Sequence, residues 1–265
     1  MAAKIIFVLS KGRTGSTLLC KLLTHYKNVI NFNEALTSES SDLFYTDLKF
    51  LCVLYEKFGI RYEDELKLKF FDEPIQIIST ISDYYTEDTI VLKLHLSELR
   101  ILEDENMDWI LSQPNHRFIL LERADYLQTY VSEEIARQED AWHDEDTSDI
   151  KIKIDVPEFL RQFRVNMNQF NRIKTKLNYY DTDYLSFEYD KDLKNYNKDD
   201  FFNLVDPWVK RTGLDLQFGD PPIITTKKQN SNEDIFDNII NHEEIREVVK
   251  NLDKLYAIMI KNRSI

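Results

Sequence analysis

Residues 4 to 23 read KIIFVLSKGRTGSTLLCKLL, and no other stretch restricts the possible folds so tightly. An apolar run, Lys4–Ser10, has the length and composition of a buried strand. A turn rich in Gly, Ser and Thr follows at once, and an apolar helical segment, Gly15–Tyr26, begins inside it. Strand, glycine turn and helix in immediate succession form the layout of a phosphate-binding loop.

The rest of the chain repeats the alternation. Further short apolar or β-branched runs predict strands at Thr89–His95, Arg117–Leu121 and Asp183–Tyr189. Helical periodicity predicts Asp47–Phe58, Ile75–Tyr84, Tyr126–Glu139, Pro157–Leu177 and Glu243–Lys261. In the segment 156–177, Val156, Phe159, Leu160, Phe163, Met167, Phe170, Ile173 and Leu177 fall on one face. Strands alternating with helices predict an α/β fold: a P-loop-like, three-layer arrangement with a mostly parallel central sheet flanked by helices. With 265 residues, no internal repeat, and only five Gly and six Pro to mark linkers, a single domain is expected. The acidic His143–Ile150 and the polar Thr225–Asp234 read as loops, where function concentrates in α/β proteins.

Against the nucleotide-binding pattern G-x-x-x-x-G-K-[ST], Gly15 and Thr17 match, Ser10 replaces the first glycine and Ser16 the lysine. The frame remains and the cation is lost. Amides of Thr14 to Leu18 converge on an anion at a helix N-terminus, where the dipole and unpaired N–H groups favour negative charge. The hydroxyls of Ser16 and Thr17 add donors, and Lys11 and Arg13 bring positive charge. The alternative is a tight strand-to-helix turn built of small residues. Net charge is −13, so nucleic acid and anionic membranes are disfavoured as partners, and an anionic ligand needs a local basic pocket. No apolar run reaches the ~20 residues of a membrane span, and a signal-peptide layout is not seen. The two cysteines, Cys20 and Cys52, sit in apolar helical contexts that suit reduced core thiols and a cytoplasmic location.

Loss of the lysine and of a Mg²⁺ partner makes chemical sense if the transferred group carries less charge than phosphoryl, as sulfuryl does. The GRTGSTLL stretch resembles the 5′-phosphosulfate loop of sulfotransferases that use 3′-phosphoadenosine 5′-phosphosulfate (PAPS), in the style of the bacterial trehalose-type and carbohydrate branches. The segment FILLERADYLQTYVSEEIARQEDAW resembles the family's L-x-R-x-D…S element, whose Arg and Ser grip the 3′-phosphate. It continues through Ala136, Arg137 and Gln138 to Trp142 as the trehalose-type version does. The resemblance implies a PAPS-dependent enzyme with Lys11, Gly12, Arg13, Thr14, Gly15, Ser16, Thr17 and Leu18 around the 5′-phosphosulfate, and Arg123 and Ser132 on the 3′-phosphate. Lys227 and Lys228 resemble the family's basic C-terminal loop, followed by a segment like Ile240–Glu244. SFEYDKDL resembles its "YEDL" strand end, to which only a structural role is assigned.

Two candidates stand for the base that deprotonates the acceptor. Alternation puts Lys93 and His95 on one side of a strand end, like the K-x-H segment of cytosolic sulfotransferases, where the His is the base and Lys93 can steady the leaving oxygen. Glu34 corresponds to the functional Glu of the trehalose-type and carbohydrate enzymes, and the character of the nearby segments tips the choice slightly towards it. Arg13 is expected to help Lys93 stabilise the leaving oxygen. The acceptor implied is a small molecule with a hydroxyl, with sugars the class suggested. No metal is expected, and trehalose-type relatives form dimers, so a homodimer belongs to the same implication. The alternatives are a Mg²⁺-dependent P-loop-type nucleoside or metabolite kinase, with Glu122 ending a Walker B strand, and a non-catalytic nucleotide-binding module. His143, Asp144, Glu145 and Asp146 lack a second cluster to complete a metal site and read as an exposed loop.

Overall fold

The computed structural model of the chain describes residues 2–33, 48–86, 88–139, 147–194, 198–216 and 234–261. Its strands are β1 (Lys4–Ser10), β2 (Val29–Asn33), β3 (Thr89–His95), β4 (His116–Glu122) and β5 (Tyr184–Glu188). All neighbours pair in parallel, in the order β2-β3-β1-β4-β5. The expected α/β fold with a central parallel sheet is therefore present. The edge strand β2 is an addition to the strands expected from sequence. Its VINFN run is short, and polar Asn31 and Asn33 break the apolar signal.

The helices are α1 (Ser16–Leu23), α2 (Leu48–Phe58), α3 (Glu63–Asp72), α4 (Pro74–Tyr84), α5 (Leu96–Ile101), α6 (Asp104–Ser112), α7 (Tyr126–Glu139), α8 (Val156–Tyr179), α9 (Lys198–Arg211) and α10 (His242–Lys261). None of the described helices is long and apolar enough to cross a membrane. α3, α5, α6 and α9 are additions to the sequence reading. The first three are short, and Pro207 inside α9 hides its periodicity.

By compactness the chain divides into two units, residues 1–124 with 168–224, and residues 125–167 with 225–265. The first unit holds the sheet. Along its strands alternate residues serve opposite faces. Ile5, Phe7, Leu9, Ile90, Leu92, Leu94, Phe118 and Leu120 pack with α2 to α6 and the end of α8. Ile6, Val8, Val91, Ile119, Leu121 and Phe187 pack with α1 and α9. Both faces are covered, so the central strands carry near-continuous apolar runs, IIFVL in β1, IVL in β3 and FILL in β4, as a buried parallel sheet requires. Cys20 is buried on α1, whereas Cys52 is exposed on α2, which corrects its expected place in the core. The apolar stretch around it has positions on either face of α2, and Cys52 falls on the outer one.

The second unit gathers Leu127, Tyr130, Val131, Ile135, Ile152, Ile154, Phe159, Ile239 and Ile245 into its own core. Its two chain segments are joined by a parallel bridge between Ile152 and Ile239. The side chain of Asn241 accepts from the Ile154 N–H at 2.9 Å and donates to the Ile154 carbonyl at 2.9 Å. Buried Asn238 donates to the carbonyls of Ile150 (2.7 Å) and Ser148 (3.1 Å). Two asparagines thus do for these segments what a longer ladder would do. Asp125 caps the start of α7, accepting from the Gln128 N–H at 2.8 Å.

Candidate active site

The register of the sheet sets Ser10 of β1 beside His95 of β3 and Leu121 of β4. The carboxyl ends of three central strands therefore lie together, and α1, which leaves β1, packs on one face of the sheet while α5 and α6, which leave β3, pack on the other. In open α/β sheets ligands bind at such a reversal.

The loop leaving β1 has a backbone suited to anions. Arg13 (φ 63°) and Gly15 (φ 80°) are left-handed, and Thr14 between them is not. Alternation of this kind turns successive N–H groups towards one concavity. A left-handed Arg costs of the order of 1–3 kcal/mol, a strain that collects at functional sites. Thr14 Oγ1 donates to the Lys11 carbonyl at 2.6 Å and closes the loop on itself. In α1 the Leu19 N–H donates to the Gly15 carbonyl at 3.1 Å, so the amides of Ser16, Thr17 and Leu18 precede the first helical bond. No acidic residue occupies the first turn. Gly12 lies against His95, whose Cε1 would stand 3.9 Å from a Cβ added there.

Lys93 of β3 is almost completely buried, and its ammonium donates to Thr17 Oγ1 at 2.9 Å. Its pKa is lowered to about 8, chiefly by burial; Cys20 and Glu98 pull the other way and Arg13 adds to the lowering. Burial also raises the Cys20 thiol to about 12, against the pull of Lys93, so it stays neutral in the core. His95 ends β3 and caps α5, its backbone N–H donating to Glu98 Oε2 at 2.6 Å. Glu98 was not anticipated, although H-L-S-E has the spacing of a capping box and could have revealed it.

Arg123 follows β4 directly. Its Nη1 donates to the Arg13 carbonyl at 3.1 Å, its Nε lies 3.5 Å from Asp190 Oδ2, and its guanidinium rests 4.7 Å from the centre of the Tyr189 ring. Tyr189 and Asp190 open a π-helical turn, Tyr189–Leu193, immediately after β5. Because Glu122 and Glu188 are partners in register, Arg123 and Tyr189 leave adjacent strands side by side. The carboxylate of Glu122 forms an ion pair with Lys174.

Arg13, Thr14, Gly15, Ser16, Thr17, Lys93, His95 and Arg123 are thus carried to one sheet edge by β1, β3 and β4. Ser132 belongs to the second unit, half-buried on α7. Glu34, Lys227, Lys228 and the cluster from His143 to Asp146 lie outside the described residues. Compared with known proteins, the chain matches no family model and no curated sequence.

Proposed function

We propose that this protein is a cytosolic PAPS-dependent sulfotransferase acting on a hydroxyl of a small acceptor, with sugars the favoured class. The observation that carries the reading is the bond from Lys93 Nζ to Thr17 Oγ1. A nucleotide-hydrolysing P-loop gives that hydroxyl to Mg²⁺. Here an ammonium stands on it, and the candidate Walker B acid, Glu122, is engaged by Lys174. Both groups that a P-loop kinase commits to its metal are held by lysines.

The donor set fits PAPS. Amides at the start of α1, the hydroxyls of Ser16 and Thr17, and the charges of Lys93 and Arg13 suit the 5′-phosphosulfate. Arg123 suits a 3′-phosphate, with Ser132, Lys227 and Lys228 assigned alongside by resemblance. When bound, PAPS supplies the sulfuryl group: the acceptor oxygen bonds to sulfur as the bond from sulfur to the 5′-phosphate oxygen breaks. The chain's residues hold that phosphate oxygen as its charge grows, through the α1 amides, Thr17 and Lys93. The acceptor proton passes to Glu34 or His95. His95, which caps α5 beside Gly12 of the loop, supports the second of these assignments.

Calorimetry tests the reading. Adenosine 3′,5′-bisphosphate should bind without metal and more tightly than ADP. Binding equal to that of ADP, or none, overturns it, and so does ATP binding that requires Mg²⁺. Turnover of labelled PAPS with a panel of sugars, abolished by Glu34→Gln or His95→Ala, separates the two bases.

A further inference from the structure

Nothing assigned so far explains why the turn after β5 approaches both the phosphate loop and Arg123. Tyr189 does both with one ring. A Cβ added to Gly15 would overlap Cδ2 and Cε2 of Tyr189, so the ring lies directly on the glycine's α-carbon. The same ring carries the Arg123 guanidinium at 4.7 Å, within the range of a cation–π contact. The next residue, Asp190, holds Arg123 by charge at 3.5 Å and is itself held by Lys194 Nζ at 3.5 Å. The turn is closed at both ends: the Glu188 N–H donates to Asp192 Oδ2 at 2.8 Å, and the Lys194 N–H donates to the Tyr189 carbonyl at 2.8 Å. Single π-helical turns of this kind gather at functional sites. The Arg123 side chain is only 11% exposed, so its direction is set by these neighbours and not by solvent.

We infer that Tyr189 and Asp190 are positioning residues that fix Arg123 for a phosphate on the 3′-position of the nucleotide and thereby set the preference for 3′-phosphorylated ligands. The inference rests on the sulfotransferase reading and deepens it. The ring registers the guanidinium against the loop that takes the 5′ end, so one rigid turn sets the spacing between two anion subsites. The carboxylate fixes the fork of the guanidinium, and Lys194 keeps that carboxylate in place. An Arg so held loses little freedom on meeting an anion, which is where preorganised contacts gain their affinity.

The test compares adenosine 3′,5′-bisphosphate with AMP, which differs only by the 3′-phosphate. In the wild type the bisphosphate should bind at least 10-fold more tightly; absence of that preference overturns the sulfotransferase reading itself. Given the preference, Asp190→Asn and Tyr189→Leu should each cut it at least 5-fold while AMP affinity stays within 2-fold, and Tyr189→Phe should retain it. Two results overturn the positioning role while leaving the function standing. One is a preference unchanged or increased in Asp190→Asn, the mark of a carboxylate that merely repels the ligand. The other is an equal loss of both ligands in either variant, the mark of general damage to the site.

Discussion

Replacing Lys93 by Met removes a buried ammonium from the centre of the site, and linkage fixes how the effect depends on pH. In the folded protein Lys93 has its pKa lowered from 10.5 to about 8, chiefly by burial. At pH 7 both folded and unfolded chains carry the proton, and the cost of burying it does not vary. Above pH 8 the unfolded chain retains a proton that the folded chain has released, so stability rises with pH until about 10.5. At pH 9 the site is about tenfold more deprotonated than protonated when folded and almost fully protonated when unfolded, a contribution of about 1.4 kcal/mol. Cys20 acts with the opposite sign. Its pKa is raised from 9.0 to about 12, so its contribution is intact below pH 9 and is lost as pH rises beyond it. Because Cys20 is present in both proteins, the comparison should stop at pH 9 and use the difference between them. Urea unfolding of wild type and Lys93→Met at pH 7 and pH 9 gives four free energies. The wild type should gain about 1.4 kcal/mol relative to the variant between the two pH values. A difference that is the same at both pH values would refute the reasoning, because Lys93 would then carry an ordinary pKa.

Three further outcomes are expected. His116 is buried, its Nδ1 2.7 Å from the Ile110 carbonyl, and burial lowers its pKa from 6.5 to about 4. Its neutral form supports the fold fully above pH 6.5, and about 2 kcal/mol is lost by pH 5 as the unfolded chain takes up the proton; His116→Gln should remove that slope in urea titrations. Gly15→Ala places a Cβ in the Tyr189 ring at a left-handed φ of 80° and should cost about 2 kcal/mol by thermal or urea unfolding. Adding Tyr189→Ala should return the steric part only. Asn241→Leu leaves the Ile154 N–H and carbonyl without their side-chain partners and should cost about 2 kcal/mol, read as faster hydrogen exchange at the Ile154 amide.

The sheet was legible because each central strand carries an apolar run, IIFVL in β1, IVL in β3 and FILL in β4. β1 and β3 were bounded to the residue, and β4 to within one residue at each end. Burial on both faces leaves an uninterrupted signal that no polar alternation confuses. β2 was hidden by its two asparagines, and α9 by Pro207, since tertiary contacts override local pattern at such positions. Within the candidate site, Arg13, Lys93, His95 and Arg123 could be placed at one edge from strand ends alone. Tyr189 and Asp190 could not. Their importance depends on β4 and β5 being neighbours in register, and pairing between strands more than 60 residues apart leaves no trace in either local sequence. Glu98 is the intermediate case, visible as a capping residue but not as a charge that acts on Lys93.

The central position of β1 has a consequence for biosynthesis. It leaves the ribosome before the other described strands, yet it pairs with β3 and β4 and not with β2, the next strand made. At roughly 5–20 residues per second, the interval from Ser10 to the end of β3 lasts on the order of 4–17 s. Throughout that time the run IIFVL has both hydrogen-bonding edges open and no sheet to join. The strand that later supports the anion loop is thus the segment of the nascent chain most exposed to mispairing, and the early helices α1 to α4 are the cover available to it until its partners arrive.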